Sequence, residues 1–187
     1  MKNIGYFLIL LSSITTATAA ESKGLWFIHA DFGGDTLVEV SYDDGSTSSI
    51  EAGGGITFGG GATWRMSDLF IVQATAAWKT ETLPSASNGS ADWDRFPVEV
   101  IGLLQIDKFR IGMGLTYHLF GKLKGDGILS SASADFDNAT GSVVTFEYVS
   151  KDRLSYVFRQ TIIDYTPAGT STILNGNSAG IGINMHF

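Results

Sequence analysis

The chain has 187 residues, no cysteine, 23 glycines, three prolines and a formal charge of −7. The lack of cysteine excludes a disulfide-stapled scaffold, so stability must come from a large core or from a sheet closed within lipid. The acidic balance argues against nucleic acid as a partner, because phosphate binding needs a basic surface.

The first 20 residues read as a cleaved signal peptide. Lys2 gives a short positive start, Ile4 to Leu11 is an apolar run, and Ala17-Thr18-Ala19-Ala20 offers a small-residue cleavage site. No cysteine sits near that site, so no lipoprotein anchor is expected. The run is too short to span a bilayer, and no other apolar stretch of about 18 residues follows, so no transmembrane helix is expected. Residues 21–187 are then a single domain.

That domain divides into eight segments of alternating character, expected as strands at 25–42, 47–65, 69–82, 93–106, 109–124, 141–150, 154–165 and 177–187. Asp43-Asp44-Gly45-Ser46 is hairpin chemistry, since Asp-Gly accepts the positive φ of a tight turn. The links 66–68, 107–108 and 151–153 are short. The links 83–92, 125–140 and 166–176 are long and rich in Ser, Gly, Asn and Asp. Short and long links alternate, as periplasmic turns and outside loops do in an outer-membrane barrel.

The two faces of the segments carry the argument further. Ile50, Ala52, Ile56, Phe58, Ala62 and Trp64 share one face of the second segment. Phe70, Val72, Ala74, Ala76 and Trp78 share one face of the third; Phe96, Val98, Val100, Leu104 and Ile106 one face of the fourth. Phe109 to Leu119 repeats the pattern, as do Val144, Phe146 and Tyr148. The opposite faces hold Gly, Thr, Gln and isolated charges, which suits a narrow enclosed space better than open water. The expected fold is all-β: a closed, up-and-down, eight-stranded antiparallel transmembrane barrel. In the seventh segment Gln160 shares the face of Tyr156, Phe158 and Ile162, and a β-bulge is expected there. Trp26, Trp64, Phe70, Phe109, Tyr156 and Phe187 are expected at the periplasmic interface, with Trp78, Phe96, Tyr117 and Tyr148 nearer the outer one.

The last segment alternates Ala179, Ile181, Ile183, Met185 and Phe187 with Ser178, Gly180, Gly182, Asn184 and His186. In this ending and in its overall pattern the chain resembles the small eight-stranded outer-membrane barrels of Gram-negative bacteria, the group of OmpA transmembrane domains, OmpX and OmpW. The resemblance implies that Phe187, with Met185 and Ile183 before it, is an assembly signal received by the barrel-assembly machinery. No appended periplasmic domain is expected, and so no peptidoglycan binding. It also implies outer-membrane lipids and lipopolysaccharide as surroundings.

The inward set comprises Asp31, Glu51, Glu99 and Glu147 with Arg65, Lys79, Arg95, Arg110 and Arg159, plus His29 and His118. Charges in so narrow a space should pair. Asp31, Glu99, Glu147, Arg110 and Arg159 are expected as a lumen charge network, with Glu147 and Arg159 bridged diagonally across neighbouring strands. Lys79, Arg95 and His118 would make the upper lumen polar. No cofactor and no metal site is expected. Asp135-Phe136-Asp137-Asn138 has hard oxygen donors but lacks the EF-hand spacing and its glycine, so it reads as a solvated anionic loop. Catalysis is not expected either: His118 has no serine two residues on, although Ser130, Ser131 and Ser133 follow in the next loop. The first hairpin, with Leu37, Val38 and Val40 above the bilayer, resembles the protruding sheet of OmpX, whose edge could take a strand of an extracellular protein. The resulting functional reading is a monomeric barrel with a salt-bridged interior and a structural or surface-interaction role. The alternatives are a narrow channel or an OmpW-like conduit for small apolar molecules and, behind them, a lipid A-modifying barrel enzyme.

Overall fold

The computed structural model describes residues 21–42, 45–84, 89–151 and 153–187. The signal peptide expected at 1–20 and the turn residues Asp43, Asp44 and Asp152 lie outside the described residues. The elements are β1 (Glu21–Phe32), β2 (Thr36–Ser41), β3 (Thr47–Glu51), β4 (Gly55–Arg65), β5 (Phe70–Pro84), β6 (Ser90–Ile106) and β7 (Phe109–Gly125). A 3-10 turn (Gly127–Ala132) follows, then β8 (Ala134–Asp135), β9 (Ala139–Lys151), β10 (Leu154–Tyr165), β11 (Leu174–Asn175) and β12 (Ser178–His186).

Eight of these strands form the barrel. β1 pairs with β4, and the sheet continues through β5, β6, β7, β9, β10 and β12. It closes where β12 pairs with β1, from Leu25↔His186 to Phe32↔Ala179. Every pairing is antiparallel. Beyond β12, Phe187 extends the ladder, exchanging main-chain hydrogen bonds of 2.8 and 3.0 Å with Gly24. β2 and β3 pair only with each other and stand apart from the barrel sheet.

Side chains sort as period two requires. Ile56, Phe58, Trp78, Val98, Val100, Ile111, Met113, Leu115, Phe146, Phe158 and Ile181 are exposed on the outside. Gln73, Thr75, Glu99, Thr116, Thr145, Glu147, Arg159 and Asn184 are buried within. A soluble protein would not display so many large apolar side chains all round a cylinder. A lipid bilayer is the solvent that makes this arrangement favourable.

Four expectations need correction. Gln160 faces outward in an unbroken ladder, opposite Val144 and Ala179; the irregularity between β9 and β10 falls at Leu154/Ser155 instead. Tyr148 lies opposite Phe109 and Tyr156, so it belongs to the periplasmic girdle. Ile50 and Ala52 do not face lipid. Both are fully buried, because the chain turns at Gly53–Gly55 and restarts the alternation in β4. For the same reason the β2–β3 hairpin is not a protruding sheet. Val38 and Ile50 join Ala52 in a cluster with Leu83, Ala91, Trp93, Leu123, Phe136, Ala139, Ile163 and Tyr165, so the hairpin folds over the outer mouth and stoppers it.

A bulge in β7 helps build that stopper. Asp94 pairs with Lys122 but Phe96 with Leu119, which leaves one extra residue at Phe120. Phe120 takes a positive φ of 54°. The facing of β7 reverses there: His118 points in below it, Leu123 points in above it, and Lys122 and Lys124 are exposed.

The lipid-facing assignment predicts the cost of a charge. Replacing Leu115 or Val100 with Arg should destabilise the barrel by about 2–4 kcal/mol in urea titrations of the chain folded into lipid vesicles. An unchanged folding free energy would contradict the orientation.

Candidate functional site

The strands bring the inward charges into a column along the barrel axis. At the periplasmic end Arg110 and Glu147 are direct cross-strand partners on β7 and β9. Their side chains form an ion pair at 3.4 Å. Asn184 Nδ2 donates to the other Glu147 oxygen at 3.1 Å, and Arg110 also donates to Gln105 at 3.2 Å.

Midway, Arg159 reaches across the lumen. Its Nη2 lies 2.6 Å from Glu99 Oε1, and its Nη1 lies 3.2 Å from His29 Nδ1. His29 Nε2 in turn meets Asn184 Oδ1 at 3.0 Å, and the imidazole stacks on Phe27. One step higher Asp31 sits between two cations, 3.0 Å from Lys79 Nζ and 3.9 Å from Arg159 Nε, and accepts a hydrogen bond from Thr57 Oγ1 at 3.0 Å. Asp31 and Arg159 both register with Gly180 of the strand between them. A Cβ at Gly180 would come 2.1 Å from Asp31 Oδ1, so the glycine leaves room for the two side chains to meet over β12.

The five network residues expected from sequence are therefore all buried in the lumen, but one pairing differs. Glu147 bonds Arg110 and Asn184, and Arg159 bonds Glu99 and Asp31. The expected Glu147–Arg159 bridge does not form, although the two side chains are diagonal neighbours. Arg159 is long enough to cross a narrow cylinder, and across it lies an otherwise uncompensated carboxylate. Lys79 was a sequence candidate outside the network, and the structure makes it a member.

Above this belt the lumen is polar only at its floor, which narrows a further expectation. Arg95 and His118 form its floor, but the walls are Trp93, Phe136, Tyr165, Leu83, Leu123 and Ile163. His118 Nδ1 lies 2.7 Å from the Tyr165 hydroxyl. In the loop after β7, Ser133 is engaged locally: its Oγ accepts from the Gly125 amide at 3.0 Å. Asp135 pairs with Lys122 at 3.1 Å and Phe136 is tucked into the aromatic cluster, so the segment is anchored by Phe136 while its acidic side chains are exposed to solvent as expected. Among the described residues no group of three His, Cys, Asp or Glu side chains could hold a metal.

Between the charged layers are two small cavities of about 10 Å³ each. Each has room for about one water molecule. Glu99 and Arg159 line both, so the closest ion pair stands between them.

These pairings predict a specific pattern of coupling. A double-mutant cycle between Glu147 and Arg110 should give about 1–3 kcal/mol, and one between Glu147 and Arg159 less than about 0.5 kcal/mol. Glu99→Gln alone should cost about 3–5 kcal/mol, because it leaves Arg159 to share the Asp31 carboxylate with Lys79. Urea titration of the vesicle-folded variants measures all three. A larger coupling for Glu147–Arg159 than for Glu147–Arg110 would refute the network.

No protein-family model matches the chain, and no curated protein sequence matches it. Solved structures do. Ail, the attachment invasion locus protein of Yersinia pestis, superposes with a TM-score of 0.55 at 10% identity, covering 91% of this chain and 100% of that one. Its complex with the heparin analogue sucrose octasulfate gives the same TM-score at 11% identity. Neisserial surface protein A gives 0.55 at 8% identity, with the same coverage. Identities this low carry the fold alone. With the lipid-facing exterior and the closed sheet, they show the fold: a closed, eight-stranded, antiparallel transmembrane β-barrel with the architecture of small outer-membrane barrels.

Proposed function

We propose that the protein is a sealed, monomeric outer-membrane barrel whose role is structural or one of surface interaction, and that it is not a conduit. The observation that carries this reading is the double closure of the lumen. The Arg110–Glu147, Arg159–Glu99 and Lys79–Asp31 pairs occupy the transmembrane part, and the β2–β3 hairpin fills the outer mouth. A narrow channel needs a continuous water path, and the two one-water cavities are separated by the tightest ion pair. An apolar conduit needs an open apolar vestibule. The vestibule here is apolar, but the protein's own Val38, Ile50 and Ala52 fill it.

What the barrel presents outside is organised. β5, β6, β7 and β10 continue to the loops, where β8, β11 and the 3-10 turn stiffen the ends. Asp35, Glu39, Asp126, Asp135, Asp137 and Asp164 are exposed there. This rim has the wrong sign for a polysulfated ligand such as the one in the Ail complex. A surface partner of this chain would offer cationic or apolar groups. In the plane of the membrane, Lys122 and Lys124 stand outward above the Phe96–Phe120 pair, at a height suited to lipopolysaccharide phosphates. The exposed Phe187, with Met185 and Ile183, is the segment we assign to recognition by the barrel-assembly machinery. Enzymatic readings gain no support, since His118 is engaged with Tyr165 inside the lumen.

Planar-bilayer recording tests the reading. The refolded chain should add no unitary conductance to the bare bilayer at ±100 mV, on the order of the potentials at which charged groups in a membrane respond. Steady single-channel events would overturn it.

A further inference from the structure

Arg95 is fully buried, yet its hydrogen bonds run to main-chain carbonyls and not to a carboxylate. Nη1 donates to Ala52 O at 2.9 Å and Nη2 donates to Gly54 O. Its Nε has no partner. Lys79 Nζ donates to the carbonyl between them, Gly53 O, at 2.7 Å, and Trp93 Nε1 donates to Ala52 O at 3.1 Å. Two cations and an indole N–H thus converge on three consecutive carbonyl oxygens. These oxygens stand where an anion would be expected, because the acids that act on the buried guanidinium, Glu81, Asp31 and Asp94, do so only through space and none bonds it.

The carbonyls belong to the base of the stopper hairpin. β2 and β3 make no ladder with the barrel, and a two-stranded hairpin is marginal by itself. The chain enters it through Gly33 and Gly34, at φ of 119° and 99°, and leaves through Gly55 at 113°. Such backbone pivots are open to glycine and closed to most other residues. The latch at the entry is Asp35, whose N–H donates to Asn175 O at 2.7 Å and whose Oδ2 accepts from the Asn175 N–H at 2.8 Å. Beneath the hairpin an aromatic wall stands against the floor. Trp93 lies 4.6 Å from Phe136 and 5.5 Å from Tyr165, and the Arg95 guanidinium sits 4.7 Å from the Trp93 ring.

We propose that the outer mouth is a binding site for an amphiphilic carboxylate, and that the hairpin is its built-in occupant. When the hairpin swings out on its glycines, the ligand's oxygens take the places of the Ala52–Gly54 carbonyls on Arg95 and Lys79. Its apolar body takes the places of Val38 and Ile50 against Trp93, Phe136 and Tyr165. The site ends at the Asp31–Lys79 layer, so it binds without conducting; ligand binding gives up the outer closure, and the inference rests on the ion-pair layers of the sealed-barrel reading.

The probes are 4-phenylbutyrate and its neutral counterpart 4-phenylbutanol, titrated calorimetrically into the full chain in nanodiscs of zwitterionic lipid. The chain has no cysteine of its own. A variant carrying Asp35→Cys and Asn175→Cys can therefore be locked by oxidation and freed by reduction in one sample. The reduced sample should bind the carboxylate saturably and at least tenfold more tightly than the alcohol. The oxidised sample should lose that binding, and Arg95→Gln should weaken it at least tenfold. Equal uptake of both probes, or binding that is absent when reduced or unchanged on oxidation, overturns the proposal whether or not Arg95→Gln folds. Conductance of the same samples reports on the sealed lumen separately.

Discussion

A backbone at bilayer depth has no water to satisfy its N–H and C=O groups, so a sheet there must have no edge. In this chain that constraint is met at one seam, the pairing of β12 with β1. Once the seam forms, each residue of a spanning strand has only two places to point. Lipid on one side and a cylinder a few side chains wide on the other then sort the sequence, and the rest of the structure follows from that sorting.

Inside, narrowness decides the chemistry. Opposite charges on distant strands lie within reach of one long side chain, so Arg159 finds Glu99 across the lumen, 60 residues away in sequence. Lumen-facing glycines make room: Gly180 lets Asp31 and Arg159 meet, and Gly182 leaves space for the His29 ring, whose Cδ2 would lie 2.2 Å from an added Cβ. From the periplasm outward the filling passes from an Arg–Glu–Asn layer to a charged belt and then to an aromatic stopper. A barrel filled in this way leaves little free bore, which is the ground for proposing that its outer end is the functional surface.

Much of this was legible in the sequence, because period two is read directly from residue order. The rows around Val72, Val100, Leu115 and Ile183 could be assigned to lipid without coordinates, and the inward charges followed from the opposite parity. Three things were not legible, each for a physical reason. Parity carries only as far as the strand does: Gly53–Gly55 resets it, so Ile50 and Ala52 read as lipid-facing while they fill the mouth. Parity also says which side a charge occupies but not its partner, since a long side chain can cross the lumen or lie along a strand. The third concerns height: the level of Tyr148 depends on where β9 registers against β7, which no local pattern encodes. Gln160 shows the opposite error, where a single polar residue in an apolar row suggested a bulge that the continuous ladder does not need.

The most direct test is hydrogen–deuterium exchange of the lipid-embedded chain, read at the amides of residues 25–32 and 179–186. A closed barrel predicts that the ladder amides of this seam are as slow as those shared by β6 and β7. Seam amides exchanging within minutes, while the β6–β7 ladder stays protected, would mean an open sheet and would contradict the account at its base.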